Sequence, residues 1–366
     1  LEDAKMIPIA EPNLGEEELE NIIDVVKSSW ISSKGRYISK FEREFSKYCE
    51  VKQGVAVSNG TVALHLVLKS MGIGKGDEVI IPSLTFIATA NAVSYCNAKP
   101  IFVDSHPDYW CMDSEKIKEK ISDKTRAIIP VHLYGHPCDM DTITDLADDY
   151  GLYVIEDAAE AHGAEYKGRK TGSLGTVGCF SFYGNKLITT GEGGMCVTND
   201  EELADRMRLL RDHAMSDDNT YWHSTIGFNY RMTNLQAAIG VAQLKKIDGF
   251  IERKRKIANR YSKGLNDLIG GDLIDIHPEM SWAKCVYWMY SILLEERDNL
   301  AKVLEKKEID TRPFFYPMHY LPPYKNNEKF HVAERLSKVG INLPSSTVLK
   351  NKDVDRIVQV IREALS

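Results

Sequence analysis

The side chain best suited to covalent chemistry in this 366-residue chain is Lys186. It follows the strand-like run Phe180–Phe182 and leads into the glycine-rich stretch Thr189-Thr190-Gly191-Glu192-Gly193-Gly194. Glycine neighbours let a carbonyl ligand approach the backbone, and partial desolvation lowers an amine's pKa, so Schiff-base chemistry is open to this lysine. A lysine in isolation is equally an ordinary surface residue. Asp157 stands 29 positions earlier (186 − 157), at the end of the apolar run Leu152–Ile155, where α/β folds place their ligand sites. Its small successors Ala158 and Ala159 also suit a helix N-cap. Upstream, Val57-Ser58-Asn59-Gly60-Thr61 passes from a strand through Gly into a helix. The first N–H groups of a helix, with its dipole behind them, can hold a phosphate. Ser, Asn and Gly serve as plain caps at many such turns. Gly227-Phe228-Asn229-Tyr230-Arg231-Met232 reads as a polar, aromatic loop opening a helix.

These residues need a framework, and the patterning supplies one. From about Val55 to Asn199, apolar strand-like runs (55–57, 79–81, 100–103, 127–131, 152–155, 179–182, 195–198) alternate with helical spacing. Leu64, Val67, Leu68 and Met71 are one such helical set; 84–95 and 140–150 read as further helices and 114–121 as a short charged one. Continuous apolar strands separated by helices predict a mostly parallel sheet covered on both faces. Ile247–Leu268 predicts a long helix whose basic run, Arg253 to Lys256, reads as a solvated face. After Gly270-Gly271 the aromatic and Pro-rich composition predicts a smaller α+β region ending in a helix, Asp353–Leu365. The boundary is placed at 249/250.

Composition bounds the partners. Lys+Arg 46 against Asp+Glu 53 gives a net charge of −7, which argues against a general nucleic-acid binder. The seven Cys are odd in number and form no CxxC, so a reducing, cytoplasmic setting is expected. The longest uncharged run, Val79–Ala98, carries too many polar residues for a membrane span. Leu1 to Lys5 precede Met6 and read as residues added ahead of the native start. Asn59-Gly60-Thr61 matches a glycosylation sequon without a secretory signal and is set aside. His132 and His136, with Cys138 and Asp139 nearby, sit at a strand end broken by Gly135 and Pro137, so no metal is expected. Gly72-Ile73-Gly74-Lys75-Gly76 precedes a strand and reads as a tight turn.

Five segments carry a family resemblance: GDEVIIPSLTFIATANAV, IIPVHLYGHPCDMD, LYVIEDAAEAHGA, CFSFYGNKLITTGEGGM and GFNYRMTNLQAAIG. In this order, over about Ile7 to Pro344, they resemble the DegT/DnrJ/EryC1/StrS sugar aminotransferases, which are fold-type-I pyridoxal-phosphate (PLP) enzymes. WISSKGRYI, HLYGHPCDMD and YWHSTIGFNYRMTN are most similar to members acting on GDP-4-keto-6-deoxy-D-mannose. The resemblance implies a large PLP-binding α/β domain (1–249) and a small C-terminal α+β domain (250–366). Lys186 would carry PLP covalently, and Asp157 would hold the pyridine nitrogen protonated. Gly60, Thr61 and Ser181 would bind its phosphate, and Phe86 would stack on the ring. Glu160 stands where many members carry a Gln that contacts the ring hydroxyl. Asn229 would reach the cofactor of a neighbouring subunit, which implies a homodimer or larger assembly. Trp30, Tyr183, Arg231, Tyr316 and His319 would face the nucleotide sugar. Some relatives have His at the position of Lys186 and are sugar 3-dehydratases. Lys here implies transamination from L-glutamate, with the cofactor cycling through pyridoxamine phosphate (PMP). The alternatives are a UDP- or dTDP-linked 4-keto sugar as substrate, or a non-catalytic regulator on the same fold.

Overall fold

The computed structural model describes residues 6–216, 218–269 and 273–365. Its centre is a seven-stranded sheet: β1 (Gln53–Val57), β2 (Glu78–Pro82), β3 (Lys99–Val103), β4 (Thr125–Ile128), β5 (Tyr153–Asp157), β6 (Val177–Ser181) and β7 (Gly194–Thr198). The spatial order is β1-β7-β6-β5-β4-β2-β3. β7 runs antiparallel to both of its neighbours, and the remaining pairs are parallel. The carboxyl ends of six strands therefore share one edge, the edge at which such sheets bind ligands.

In β1, β6 and β7, period-two alternation sends side chains into two different cores. After α1 (Glu16–Ser28) and α2 (Arg36–Tyr48) come α3 (Gly60–Ser70), α4 (Ala88–Tyr95) and α5 (Met140–Tyr150), and with these last three pack Val55 and Val57, Val177 and Cys179, and Cys196. Ala56, Phe180, Met195 and Val197 pack on the other face. There they meet Phe41 and Phe45 from the helix Arg36–Tyr48 and Val241 from the helix Asn234–Lys245. A third core joins Ile7 to Ile257, Tyr261, Tyr290, Ile341 and Ile357, around a four-stranded antiparallel sheet (275–276, 290–293, 312–313, 340–343). The helix Ile247–Gly264 bridges the regions: Phe250 and Ile251 enter the second core, Ile257 and Tyr261 the third.

Three helical expectations shift. Helix α4 begins at Ala88, not Leu84, because the Ser83 backbone is pinned on both sides. Its N–H donates to Val103 O (2.8 Å), and its carbonyl accepts Met318 N–H (2.7 Å). The segment 114–121 is two 3₁₀ turns, Ser114–Lys116 and Lys118–Lys120, hinged on the buried Ile117. The long helix stops at Gly264, with a separate 3₁₀ turn at Asn266–Leu268. Leu1–Lys5 and the Gly270-Gly271 break lie outside the described residues. Among the described residues, no helix is long and apolar enough to cross a membrane.

Candidate active site

A cavity of about 590 Å³ opens at the carboxyl edge of the sheet, within the range of small-molecule sites. Asn59, Gly60 and Thr61 follow β1, Thr85 and Phe86 follow β2, Val131 follows β4, Asp157 ends β5, and Ser181 ends β6. Lys186 and Glu192 enter from the loop between β6 and β7.

Asp157 is almost fully buried. Its Oδ2 accepts the Thr89 hydroxyl (2.8 Å) and its Oδ1 the Ala159 N–H (3.3 Å). Burial nonetheless pushes its pKa up, against the pull of these two hydrogen bonds and of Lys186, and among the described residues no cation makes an ion pair with it. Glu160 Oε2 accepts the Tyr134 N–H (2.8 Å), and its Oε1 lies 3.8 Å from Lys186 Nζ. Burial raises Glu160 to about 7, against the opposing pull of Lys186. Burial lowers the Lys186 pKa, while Glu160 and Asp157 pull it back up. The result is an amine more readily neutral than an ordinary lysine, beside a carboxyl more readily protonated than an ordinary glutamate.

Behind this pair stands a rigid brace. Glu156, on β5 and fully buried, accepts N–H groups from Gly172, Leu174 and Gly175 at 2.7 Å each, and meets His132 Nε2 at 3.0 Å. His132 Nδ1 accepts the Cys138 N–H (3.0 Å), which places the ring proton on Nε2, donating to Glu156. His136 accepts the Met280 N–H at Nε2 (3.1 Å) and donates from Nδ1 to the Pro137 carbonyl (2.7 Å), so both of its ring nitrogens are engaged. Among the described residues, no cluster of three or more His, Cys, Asp or Glu could hold a metal.

The turn after β1 is built for an anion. The side chain of Asn59 caps the Val62 N–H (3.0 Å) and its carbonyl the Ala63 N–H (3.1 Å). Gly60 and Thr61 line the cavity, and their N–H groups precede the first intrahelical donor, the Ala63 N–H. A Cβ on Gly60 would lie 2.7 Å from Ser181 Cβ, and one on Gly194 would lie 2.5 Å from Asn59 O. Both glycines let the turn, β6 and β7 close into one cup.

The other expected residues separate into two sets. Phe86 and Tyr183 line the cavity and are exposed there. Asn229 is exposed but lies outside its own chain's cavity, bridged to Asp212. Arg231 is ion-paired with Asp212 and also lies outside. Trp30 and Tyr316 are exposed, but they are not on the cavity wall. His319 does not reach the cavity: it is 2% exposed and tied between Ser83 Oγ (2.8 Å) and Glu334 Oε1 (3.1 Å). Met318 beside it is buried too, whereas Tyr316 and Tyr320 are exposed, and nothing local marks which of these residues turn inward. Sequence reasoning passed over Thr89, Tyr134, Trp288 and Phe315. Thr89 holds Asp157 from 68 residues away, and Trp288 lies 3.9 Å (ring centroid) from Lys186 Nζ. Pairings this distant leave no local signal.

These residues fit pyridoxal phosphate. A buried carboxylate that makes no ion pair among the described residues can take a pyridinium N–H, the cup can take a phosphate, Phe86 offers a ring face, and Lys186 is a largely buried amine. The comparisons agree. The DegT/DnrJ/EryC1/StrS aminotransferase family matches residues 12–362. GDP-perosamine synthase of Escherichia coli O157:H7 is 50% identical, covering 99% of both chains. The protein of that name in Caulobacter vibrioides is 46% identical, covering 100% of both. Spr1654 of Streptococcus pneumoniae, a sugar aminotransferase by description, superposes in its PMP form with a TM-score of 0.93 at 28% identity, over 98% of each chain; a PLP form is also known. The chain belongs to the DegT/DnrJ/EryC1/StrS family and is a PLP-dependent sugar aminotransferase.

Proposed function

We propose that the chain moves the amino group of L-glutamate to C4 of GDP-4-keto-6-deoxy-D-mannose, giving GDP-perosamine for cell-surface polysaccharide such as O-antigen. The full-length identity of 50% to a GDP-perosamine synthase carries the choice of sugar. The Lys186–Glu160–Asp157 arrangement carries the chemistry. When bound, PLP supplies an electron sink for charge developing at the donor carbon. Lys186 holds the cofactor and then, as a partly neutral amine, takes and returns the proton at the reacting carbon. Asp157, kept in place by Thr89 and Ala159, holds a proton on the ring nitrogen. Glu160 faces the Lys186 amine and offers its carboxyl beside it. Gly60, Thr61 and Ser181 hold the phosphate, Phe86 covers the ring, and Tyr183 faces the substrate side.

The working unit in this reading is a homodimer or larger assembly. Among the described residues the cavity wall carries one cation, Lys186, against Asp157, Glu160 and Glu192, so an anionic nucleotide sugar needs positive groups from elsewhere. Leu19, Ile23 and Val26 form an exposed apolar stripe at i, i+4, i+7 on the helix Glu16–Ser28, and Trp30, Ile31, Tyr221, Trp222 and Ile226 are exposed as well. A second copy covering them could bring Asn229 to its neighbour's cofactor phosphate, with Trp30, Arg231 and Tyr316 at the rim. The reading keeps a PLP-binding domain at 1–249, a smaller domain at 250–366 and a cytoplasmic setting. The test offers glutamate with GDP-, UDP- and dTDP-linked 4-keto-6-deoxy sugars and follows 2-oxoglutarate release. Turnover with the GDP sugar is expected; turnover confined to UDP or dTDP sugars refutes the assignment.

A further inference from the structure

Besides Glu160, the Lys186 ammonium faces the ring of Trp288, 3.9 Å from its centroid. Trp288 comes from the chain just ahead of the strand Tyr290–Leu293, about 100 residues beyond Lys186, and it is held by three ties. Its indole N–H donates to the carbonyl of Asn185, the residue that precedes Lys186 (2.8 Å). Its ring stacks on Tyr134, with centroids 6.2 Å apart and planes at 18°. Its carbonyl accepts a hydrogen bond from Lys254 Nζ (2.7 Å).

Lys254 is 5% exposed and, among the described residues, is paired with no carboxylate. Burial pulls its pKa down to about 7. Burying an amine this deeply costs stability unless it is hydrogen-bonded, and the Trp288 carbonyl is the bond it makes. The Tyr134-Gly135 turn anchors both faces of Lys186. Tyr134 N–H holds Glu160, Gly135 O accepts the Val286 N–H (3.1 Å), and a Cβ on Gly135 would lie 2.9 Å from Trp288 N.

We propose that Trp288, fixed by Lys254, is a positioning residue for Lys186. Its N–H holds the backbone from which the lysine extends, and its ring face receives the ammonium whenever the amine is not joined to cofactor. A released lysine on a flexible four-carbon stem would otherwise settle against Glu160 alone, as a charged pair poor at removing a proton. An aromatic face attracts the ammonium more weakly than a buried carboxylate does. The amine thus stays within reach and remains able to lose its proton.

The inference rests on transamination and not on the identity of the nucleotide sugar, so it is tested with L-glutamate alone. Full-length PLP-loaded Trp288→Leu, Trp288→Phe and Lys254→Met proteins are mixed with glutamate, and the change in cofactor absorbance is followed in a single turnover. Apo forms are mixed with PLP to time the lysine's capture of the cofactor, and thermal melting is recorded for all. Trp288→Leu, which loses ring and N–H, is expected to slow both rates at least about tenfold, with the glutamate Kd changed by less than about threefold. Trp288→Phe, which keeps a ring face and loses the N–H, and Lys254→Met are expected to fall between it and wild type. Should the Leu protein fail to fold, Trp288→Phe decides: at least about threefold slower capture supports the role. Rates within about twofold of wild type, or a loss confined to glutamate Kd or to melting temperature, overturn it.

Discussion

Glu160 is the most informative single replacement, because its carboxyl and the Lys186 amine work against each other through a known distance. The carboxylate favours the ammonium, whereas burial disfavours it. Glu160→Gln removes the charge and keeps a carbonyl able to accept the Tyr134 N–H, so the turn is preserved. Burial then acts against a weaker opposing field, and the Lys186 pKa falls further below its ordinary value. At 3.8 Å the attraction is roughly 1 kcal/mol in bulk water and roughly 4 kcal/mol at an effective dielectric of about 20. Losing that attraction favours the neutral amine, so the Lys186 pKa moves downward. The attraction is smaller where Glu160 is partly protonated, since burial lifts it to about 7. Capture of PLP needs the neutral amine, so the capture rate of apo protein rises with pH through the Lys186 pKa. Stopped-flow absorbance between pH 5 and 10 should place the midpoint of Glu160→Gln below that of wild type. A midpoint unmoved or moved upward would refute the electrostatic reasoning. An acid whose folded pKa is raised loses stability as pH climbs from its unfolded value, 4.5, through about 7. Relative to wild type, Glu160→Gln should therefore melt at a higher temperature at pH 8 than it does at pH 4.5.

Other perturbations probe separate parts of the site. Lys186→Ala should cut the glutamate half-reaction on the order of 10²–10⁴-fold while still taking up PLP non-covalently, as read by absorbance and single-turnover kinetics. Gly60→Ala puts a Cβ 2.7 Å from Ser181 Cβ and should cost about 1–3 kcal/mol while weakening PLP binding, measured by denaturant unfolding and cofactor titration. Glu156→Ala strips the acceptor from three buried N–H groups and His132. A loss of at least about 3 kcal/mol is expected in denaturant unfolding.

The parts of this molecule legible in the sequence are those built from neighbours in the chain. Strand β5 ending in Asp157, the Asn59-Gly60-Thr61 turn and the Lys186 loop each carry their pattern within a few residues. The interleaved order of the sheet, with β7 reversed between β1 and β6, is set by packing between distant segments. The same holds for Thr89 on Asp157 and for the Trp288 indole on Asn185. Loop orientation was illegible for the same reason. Trp30, Tyr316 and His319 share polar, aromatic surroundings, yet His319 turns inward because Ser83 and Glu334 offer it two partners. Arg231 was a candidate for the substrate, and in its own chain it is neutralised by Asp212.

The central claim is that Lys186 is the residue that carries the cofactor. Borohydride reduction of the PLP-loaded protein, followed by proteolysis and mass spectrometry of the peptides, tests it directly. The account predicts a single cofactor adduct on the peptide containing Lys186. An adduct on the buried Lys254 or any other lysine, or no adduct on a protein that has taken up PLP, would contradict it.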